Sequence, residues 1–529
     1  MNPRRWRAAG ARPAAPPFTA MALPAAALLV LAVVSLALSG GCRLWERAPR
    51  GPSFRVTLGD SVVAEPVAGR LFVLLDSNLG RNPLFGPHGR EPIYAVDVDG
   101  WRPGDARVVD HRAAGFPVPL DSLPPGRYVV RAVLDRDREH RRFAWAPGNL
   151  VTARLEICVE PFRREPFELV LDDVVPAERF DERLRARELV VESALLSDFA
   201  GAPRFLRAAV LLPTSYVEDP DRRYPTVYVI PGWGATHHAV SWSDRPRRRY
   251  GMEGAGADKI FVFLNPETPR GHHRFADSDN CGPWGRALAE ELVPAVEARY
   301  RVHRHPETRF LAGEAEGGWA ALSVQIRHPE VFGGAWAFTP DCVDFRRFAG
   351  VDLAAPDANL YVDAAGRERP AERDPATGAT LLTLREAWRR EAVIGAGQPL
   401  GAREAVFGPR GGNGAPRPLF DRATGTVDPV TAAAWRRHDL GRILRARWPS
   451  LAPRLAGRLH VVAVAGDPRT EALELLAADL AALEADVDIR LLPASAGGVW
   501  TDATRARMHA AMDARVESAM NARGDAAVR

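Results

Sequence analysis

At 529 residues the chain is too long for one ordinary core, and its length suggests two or three compact units. Hydrophobic residues at 46% with 26% charged exclude a disordered chain. The net charge is +4, and the basic residues are arginines apart from Lys259, interspersed with acids. That pattern excludes a nucleic-acid footprint, which needs clustering on one face; the densest basic run, Arg245-Pro246-Arg247-Arg248-Arg249, reads as a solvated loop.

Arginines at 4, 5 and 7 precede an apolar stretch from Ala22 to Leu38, followed by Ser39-Gly40-Gly41-Cys42. This is the order of an export signal, so residues 1–42 are expected to direct the body out of the cytoplasm. The small residues before Cys42 resemble a bacterial lipobox, with Leu38 one place further from the cysteine than that pattern prefers, and Cys42 is the lipidation candidate. A plain cleaved signal and an uncleaved anchor are the alternatives. Any membrane contact is expected through this segment alone, since no second apolar run of about 18 residues follows. The expected location is the periplasm or cell envelope. Residues 43–53 read as a linker.

From about Phe54 to Val175, short runs such as Arg70–Leu75 and Arg127–Leu134 are separated by turn clusters such as Leu123-Pro124-Pro125-Gly126. That is how an antiparallel β-sandwich reads, and residues 54–175 are expected to form an accessory domain without catalytic residues.

Beyond a charged connector, Glu178 to Arg187, the texture changes. Strand-like runs at 207–212, 226–230, 260–264, 309–312, 334–338, 459–465 and 487–492 alternate with helical patterns at 284–300, 318–327, 471–484 and 502–519. Such alternation predicts an α/β domain over residues 176–529, a mostly parallel sheet covered by helices on both faces. Residues 345–448 are Gly/Pro/Arg-rich with a helix near 382–392, too long for a plain loop, and are expected to form a cap-like insertion.

Several pieces of this second domain occur in a specific order: Arg223-Tyr224-Pro225 running into Pro231-Gly232, Gly282-Pro283-Trp284-Gly285, Glu291-Leu292-Val293-Pro294, Gly313-Glu314-Ala315-Glu316-Gly317 with Gly318-Trp319, and His328-Pro329-Glu330. Together they resemble the esterase family of α/β-hydrolases that includes esterase D, feruloyl esterases and enterochelin esterases. The resemblance implies an α/β-hydrolase fold and, in family members, a Ser-His-Asp triad. Pro147-Gly148-Asn149-Leu150 also resembles the sandwich that precedes the hydrolase in some bacterial members.

The pentapeptide 313–317 has the form of a nucleophile elbow, where a strand turns sharply into a helix and glycines let the backbone pass. Its central residue should supply the attacking hydroxyl. Ala315 supplies a methyl group. The family pattern places the acid three residues after Gly466, on Arg469, with Asp467 as the available substitute, and the base near Ala496, where histidine is missing. The nucleophile and base positions are vacant, and the acid position carries an arginine. Oxyanion donors would be backbone N–H groups near Gly232-Trp233 and at Glu316, with the charges of Glu314 and Glu316 opposing an oxyanion.

His237, His238, His272, His273 and Trp284 are expected to line a pocket at the carboxyl end of the sheet. Adjacent histidines point apart and no H-x-x-x-H spacing occurs, so no metal or other cofactor is expected. Cys281 and Cys342 stand in loops above the sheet, where they form either a disulfide across the mouth of the site or free thiols. The leading expectation is an exported, non-catalytic esterase-fold protein that binds a small molecule or protein. An active carboxylic-ester hydrolase using a non-standard set, with His237, His272 or Cys281, is the alternative.

Overall fold

The computed structural model describes residues 51–522, apart from 87–88, 138–139, 144–145, 162, 164, 178, 183–184, 255, 375–376, 467–468 and the side chain of Trp242. The expected export signal with the lipidation candidate Cys42, most of the expected linker and Asp467 therefore lie outside the described residues. Among the described residues no helix is long and apolar enough to cross a membrane.

Nine strands between Phe54 and Val174 form one hydrogen-bonded sheet rather than two separate ones. Its pairs are antiparallel except Phe54–Leu58 beside Phe167–Val174. The strands Ile93–Trp101 and Ala106–Val109 lie towards opposite ends of the sheet order, yet only Arg102 to Asp105 join them. The sheet must therefore curl round its own core, which holds Phe54, Leu71, Tyr94, Trp101, Val130 and Leu171. The Val67–Asp76 strand explains its unbroken apolar run. Leu71, Val73 and Leu75 face that inner core, while Phe72 and Leu74 face outward against Leu382, Ala387 and Val393 of the 384–394 helix and its approach. A strand covered on both faces loses the polar alternation that a half-exposed strand shows.

The second sheet has eight strands: β1 (Ala186–Glu192), β2 (Phe205–Leu211), β3 (Thr226–Ile230), β4 (Ile260–Leu264), β5 (Arg309–Glu314), β6 (Gly334–Phe338), β7 (Leu459–Val464) and β8 (Asp488–Leu492). They lie in the order β1-β2-β4-β3-β5-β6-β7-β8, with β1 and β2 antiparallel and every pair from β4 through β8 parallel. The chain is thus an α/β-hydrolase fold preceded by a strand-rich region. Strand β1 takes the end of the stretch read as a charged connector. Its buried Ala186 and Leu189 stand three positions apart, on opposite faces of the strand, and the exposed or half-exposed residues between and after them leave no apolar run to mark it in sequence.

Helices cover both faces of this sheet. Glu316–Arg327 is apolar almost all round, and residues Gly317 to Ile326 are buried between β5, β6 and the later helix Leu440–Leu455. On the other face, Val499, Met508 and Met512 pack with Phe261, Phe310 and Phe338. Between Phe345 and Trp448 the chain forms a small hairpin (Pro370–Arg373 with Thr380–Thr383) and the helices Leu384–Ile394, Pro399–Phe407 and Pro429–Trp435 before entering the long helix. Thr383 and Glu386 cap the first of these reciprocally, which starts the helix two residues later than its pattern suggests.

Candidate functional site

The elbow forms as its glycines require. A Cβ on Gly313 would lie 2.1 Å from the Gly317 carbonyl oxygen, and one on Gly317 would lie 1.9 Å from that of Ile230. Both clashes are with backbone, so neither position tolerates a side chain. Between them Ala315 sits at φ 52, ψ −116, a left-handed conformation that costs an L-residue roughly 1–3 kcal/mol. Its N–H donates to the Phe338 carbonyl at 3.0 Å, and its carbonyl accepts from Trp319 and Asp341 at 3.1 and 3.0 Å. The backbone of a nucleophile elbow is complete, and its side chain is a half-buried methyl group.

Above it lies the loop after β3. A Cβ on Gly232 would meet the Glu314 carbonyl, the Glu316 carboxylate and the Ala315 Cβ within 3.8 Å, so this loop closes directly over the elbow. The Trp233 N–H, one of the two expected oxyanion donors, is not open. It donates to Glu316 Oε2 at 3.2 Å. Glu316 opens the helix that follows the elbow, where the unpaired N–H groups of the first turn favour a negative charge.

Two arginines reach the same point. Arg274, after β4, and Arg403, on the Pro399–Phe407 helix of the insertion, lie 3.8 and 3.9 Å from Glu316 Oε1. Both bond Asp341 Oδ2, at 2.8 Å from Arg274 and 2.9 Å from Arg403. Burial alone would raise the Asp341 carboxyl, but the guanidiniums of Arg403 and Arg274 outweigh it and hold the group well below the usual carboxylate range. Arg274 is 1% exposed, stacks over Trp319 and Phe407, and leaves Nε and Nη1 without partners. Two acids and two arginines therefore fill the space beside the elbow. Glu314 is held separately by Arg249, whose guanidinium also lies 5.3 Å from the Trp500 ring centre. The arginine run 245–249 is thus a short helix with a working inner side, not the solvated loop its composition suggests.

The expected pocket histidines divide into two groups. His272 donates from Nε2 to the Pro231 carbonyl at 2.8 Å and accepts from the Arg274 N–H at Nδ1. His273 bonds the Asn265 carbonyl and the Phe275 N–H in the same way and stacks on Trp284 with centroids 3.7 Å apart. Burial pushes His272 down to about 4 and His273 well below its ordinary value. Their ring nitrogens are committed to backbone, and neither meets a hydroxyl or thiol. His272, His273 and Trp284 therefore brace the loop after β4.

His237 and His238 behave differently. Their rings lie 4.2 Å apart, contrary to the expectation that adjacent histidines diverge. That expectation holds on a strand, where neighbours are opposed, whereas the helical backbone of His238 (φ −62, ψ −24) separates successive side chains by only about 100°. His237 Nε2 lies 3.0 Å from Glu188 Oε1 on β1, and the three residues could together hold a metal ion.

The disulfide alternative is also corrected. Cys158, Cys281 and Cys342 are all free thiols. Cys342 donates to Asp341 Oδ1 at 3.2 Å, and burial followed by that neighbouring carboxylate pushes its thiol well up. Burial raises Cys281 to about 11. Neither is an activated nucleophile at neutral pH.

Arg469 is exposed at the start of the Thr470–Ala482 helix, so the acid position carries a cation. The base position, Ala496, ends a short turn in a solvent-facing loop. The same loop continues to Trp500, which stacks at 4.0 Å on Phe338, the register partner of Glu314. An indole thus stands beside the elbow on the side that the histidine loop approaches. His509 is buried and bonds the Tyr250 carbonyl at 2.9 Å. A separate cleft of about 410 Å³, lined by Arg327, His328, Arg447 and Arg454 among others, opens beside the far end of the elbow helix and not at the elbow.

A family model described as "Putative esterase" matches residues 202–439. No curated protein matches the chain. Among solved structures, an S-formylglutathione hydrolase from Agrobacterium tumefaciens is 14% identical, covering 63% of this chain and 94% of its own, with a TM-score of 0.33. MPT51 of Mycobacterium tuberculosis is 16% identical over 63% of this chain and 98% of its own, with a TM-score of 0.35. A ferulic acid esterase from Anaeromyces mucronatus is 13% identical over 60% and 88%, with a TM-score of 0.28.

Proposed function

Starting from a chain that belongs to the esterase family of α/β-hydrolases, we propose that it has left ester hydrolysis and serves in the cell envelope as a ligand- or partner-binding protein. The observation that carries this reading is the Glu316 carboxylate on the Trp233 N–H beside a side chain that cannot attack. In a working member that donor stabilises the developing oxyanion, a contribution typically worth a factor of about 10²–10³ in rate. Here a resident carboxylate takes it. The triad acts as a unit, so losing the serine and the histidine together leaves an acid in that loop nothing to orient, and the expected acid position carries Arg469.

Export rests on the arginines, apolar stretch and small residues of the first 42 positions, with Cys42 as the lipid anchor. Labelling with a radioactive fatty acid tests the anchor, and a Cys42→Ser chain should remain unlabelled. For catalysis, the purified mature chain is assayed on short-chain aryl esters beside Ala315→Ser and an Ala315→Ser, Ala496→His double variant. The unmodified chain should match buffer. Turnover that disappears on replacing His237, His272 or Cys281 would establish a non-standard hydrolase instead.

A further inference from the structure

The loop after β3 carries a second group of chemically active side chains that the esterase scaffold does not use. Glu188 projects from the edge strand β1, and His237 and His238 follow the turn that covers the elbow. One ligand atom from each lies within 4.8 Å of the others. The two imidazoles are packed by Phe180, whose ring lies 5.9 Å from His237 and 5.7 Å from His238. His237 is 1% exposed, so its imidazole is fixed by the residues packed round it.

We propose that Glu188, His237 and His238 form a three-ligand site for a divalent transition ion of the zinc type, with water completing the coordination. Two imidazoles and one carboxylate are a set such an ion accepts with an open fourth position. The geometry is close to closing. Metal bonds of about 2.0–2.2 Å in tetrahedral array put ligand atoms roughly 3.4 Å apart, and His237 Nε2 and Glu188 Oε1 already stand at 3.0 Å. Glu188, 29% exposed, has room to adjust.

Arg207 on β2 and His140 in a loop of the N-terminal region also face the cluster, and Arg207 opposes a cation. His140 is itself held at 2.6 Å by Asp137, which reduces its opposition. An ion here would tie β1 to the loop that covers the elbow, fixing that loop without any part in ester chemistry.

Cobalt(II) is the probe, added to metal-free full-length mature chain purified without a histidine tag. The site predicts one equivalent bound, with visible d–d absorption of low-coordinate cobalt, displacement by zinc and a raised Tm. Glu188→Gln and His238→Gln, both at half-buried positions, should each weaken binding about tenfold or more, with the Tm of the metal-free variants within a few degrees of the parent. No absorption, or full binding by both Gln variants, overturns the site. If a Gln variant does not fold, Glu188→Asp with an unchanged spectrum at lower affinity supports the site, and parental affinity overturns it.

Discussion

Glu316 Oε2 accepts the backbone N–H of Trp233 at 3.2 Å, across the space where an esterase of this fold would hold an oxyanion. The residue after the nucleophile position thus supplies an internal anion in place of a substrate's. Glu316→Ala should leave that donor exposed and Arg274 and Arg403 with Asp341 alone, costing about 1–3 kcal/mol in denaturant unfolding.

Asp341 is the stronger anchor of the same cluster. Replacing it with Asn leaves two buried guanidiniums without a full counter-charge, and a loss of about 3–5 kcal/mol is expected. Its folded-state carboxyl is depressed, so its contribution is present above the ordinary aspartate range and disappears as pH falls below it. Acid unfolding of Asp341→Asn should therefore begin from a lower stability at neutral pH and fall less steeply.

Ala315 keeps a left-handed backbone with no catalytic side chain to justify it. Ala315→Gly should stabilise the protein by up to about 1 kcal/mol, the relieved strain outweighing the added freedom of the unfolded chain. A loss of stability would show that the surroundings of the methyl group matter more than its φ.

Glu391 titrates in the opposite sense to Asp341. It sits buried against the start of the Pro399–Phe407 helix, accepting the N–H groups of Leu400 and Gly401, and burial raises it to about 7 despite those bonds. The folded state then holds a proton that the unfolded state has released, so stability falls as pH rises from about 4.5 to about 7, by at most about 1.4 kcal/mol per unit. Glu391→Gln should flatten that slope in a series of thermal melts.

Much of the second domain is readable in its sequence because its parallel strands are buried on both faces. Thr226–Ile230, Ile260–Leu264 and Gly334–Phe338 appear as short apolar runs with the bounds the structure gives them. The elbow is legible because two steric requirements fix Gly313 and Gly317. The edge strand β1 is not, since exposed Arg187 and half-exposed Glu188 interrupt its apolar residues. The charge cluster is equally hidden. Arg274, Asp341 and Arg403 are spread over some 130 positions, and no spacing rule brings them together. Glu316 was visible as a charge beside the elbow, but its bond to Trp233 depends on how the loop after β3 folds back.

Intact-mass analysis after exposure of the mature chain to an excess of a fluorophosphonate tests the loss of hydrolysis most directly, because the reagent marks an activated serine whether or not turnover is fast. The mass should stay unchanged for the parent chain and for Ala315→Ser, whose new hydroxyl has no base and faces an occupied oxyanion donor. A single adduct on the parent chain, mapped to a residue at the carboxyl end of the β1–β8 sheet, would contradict it.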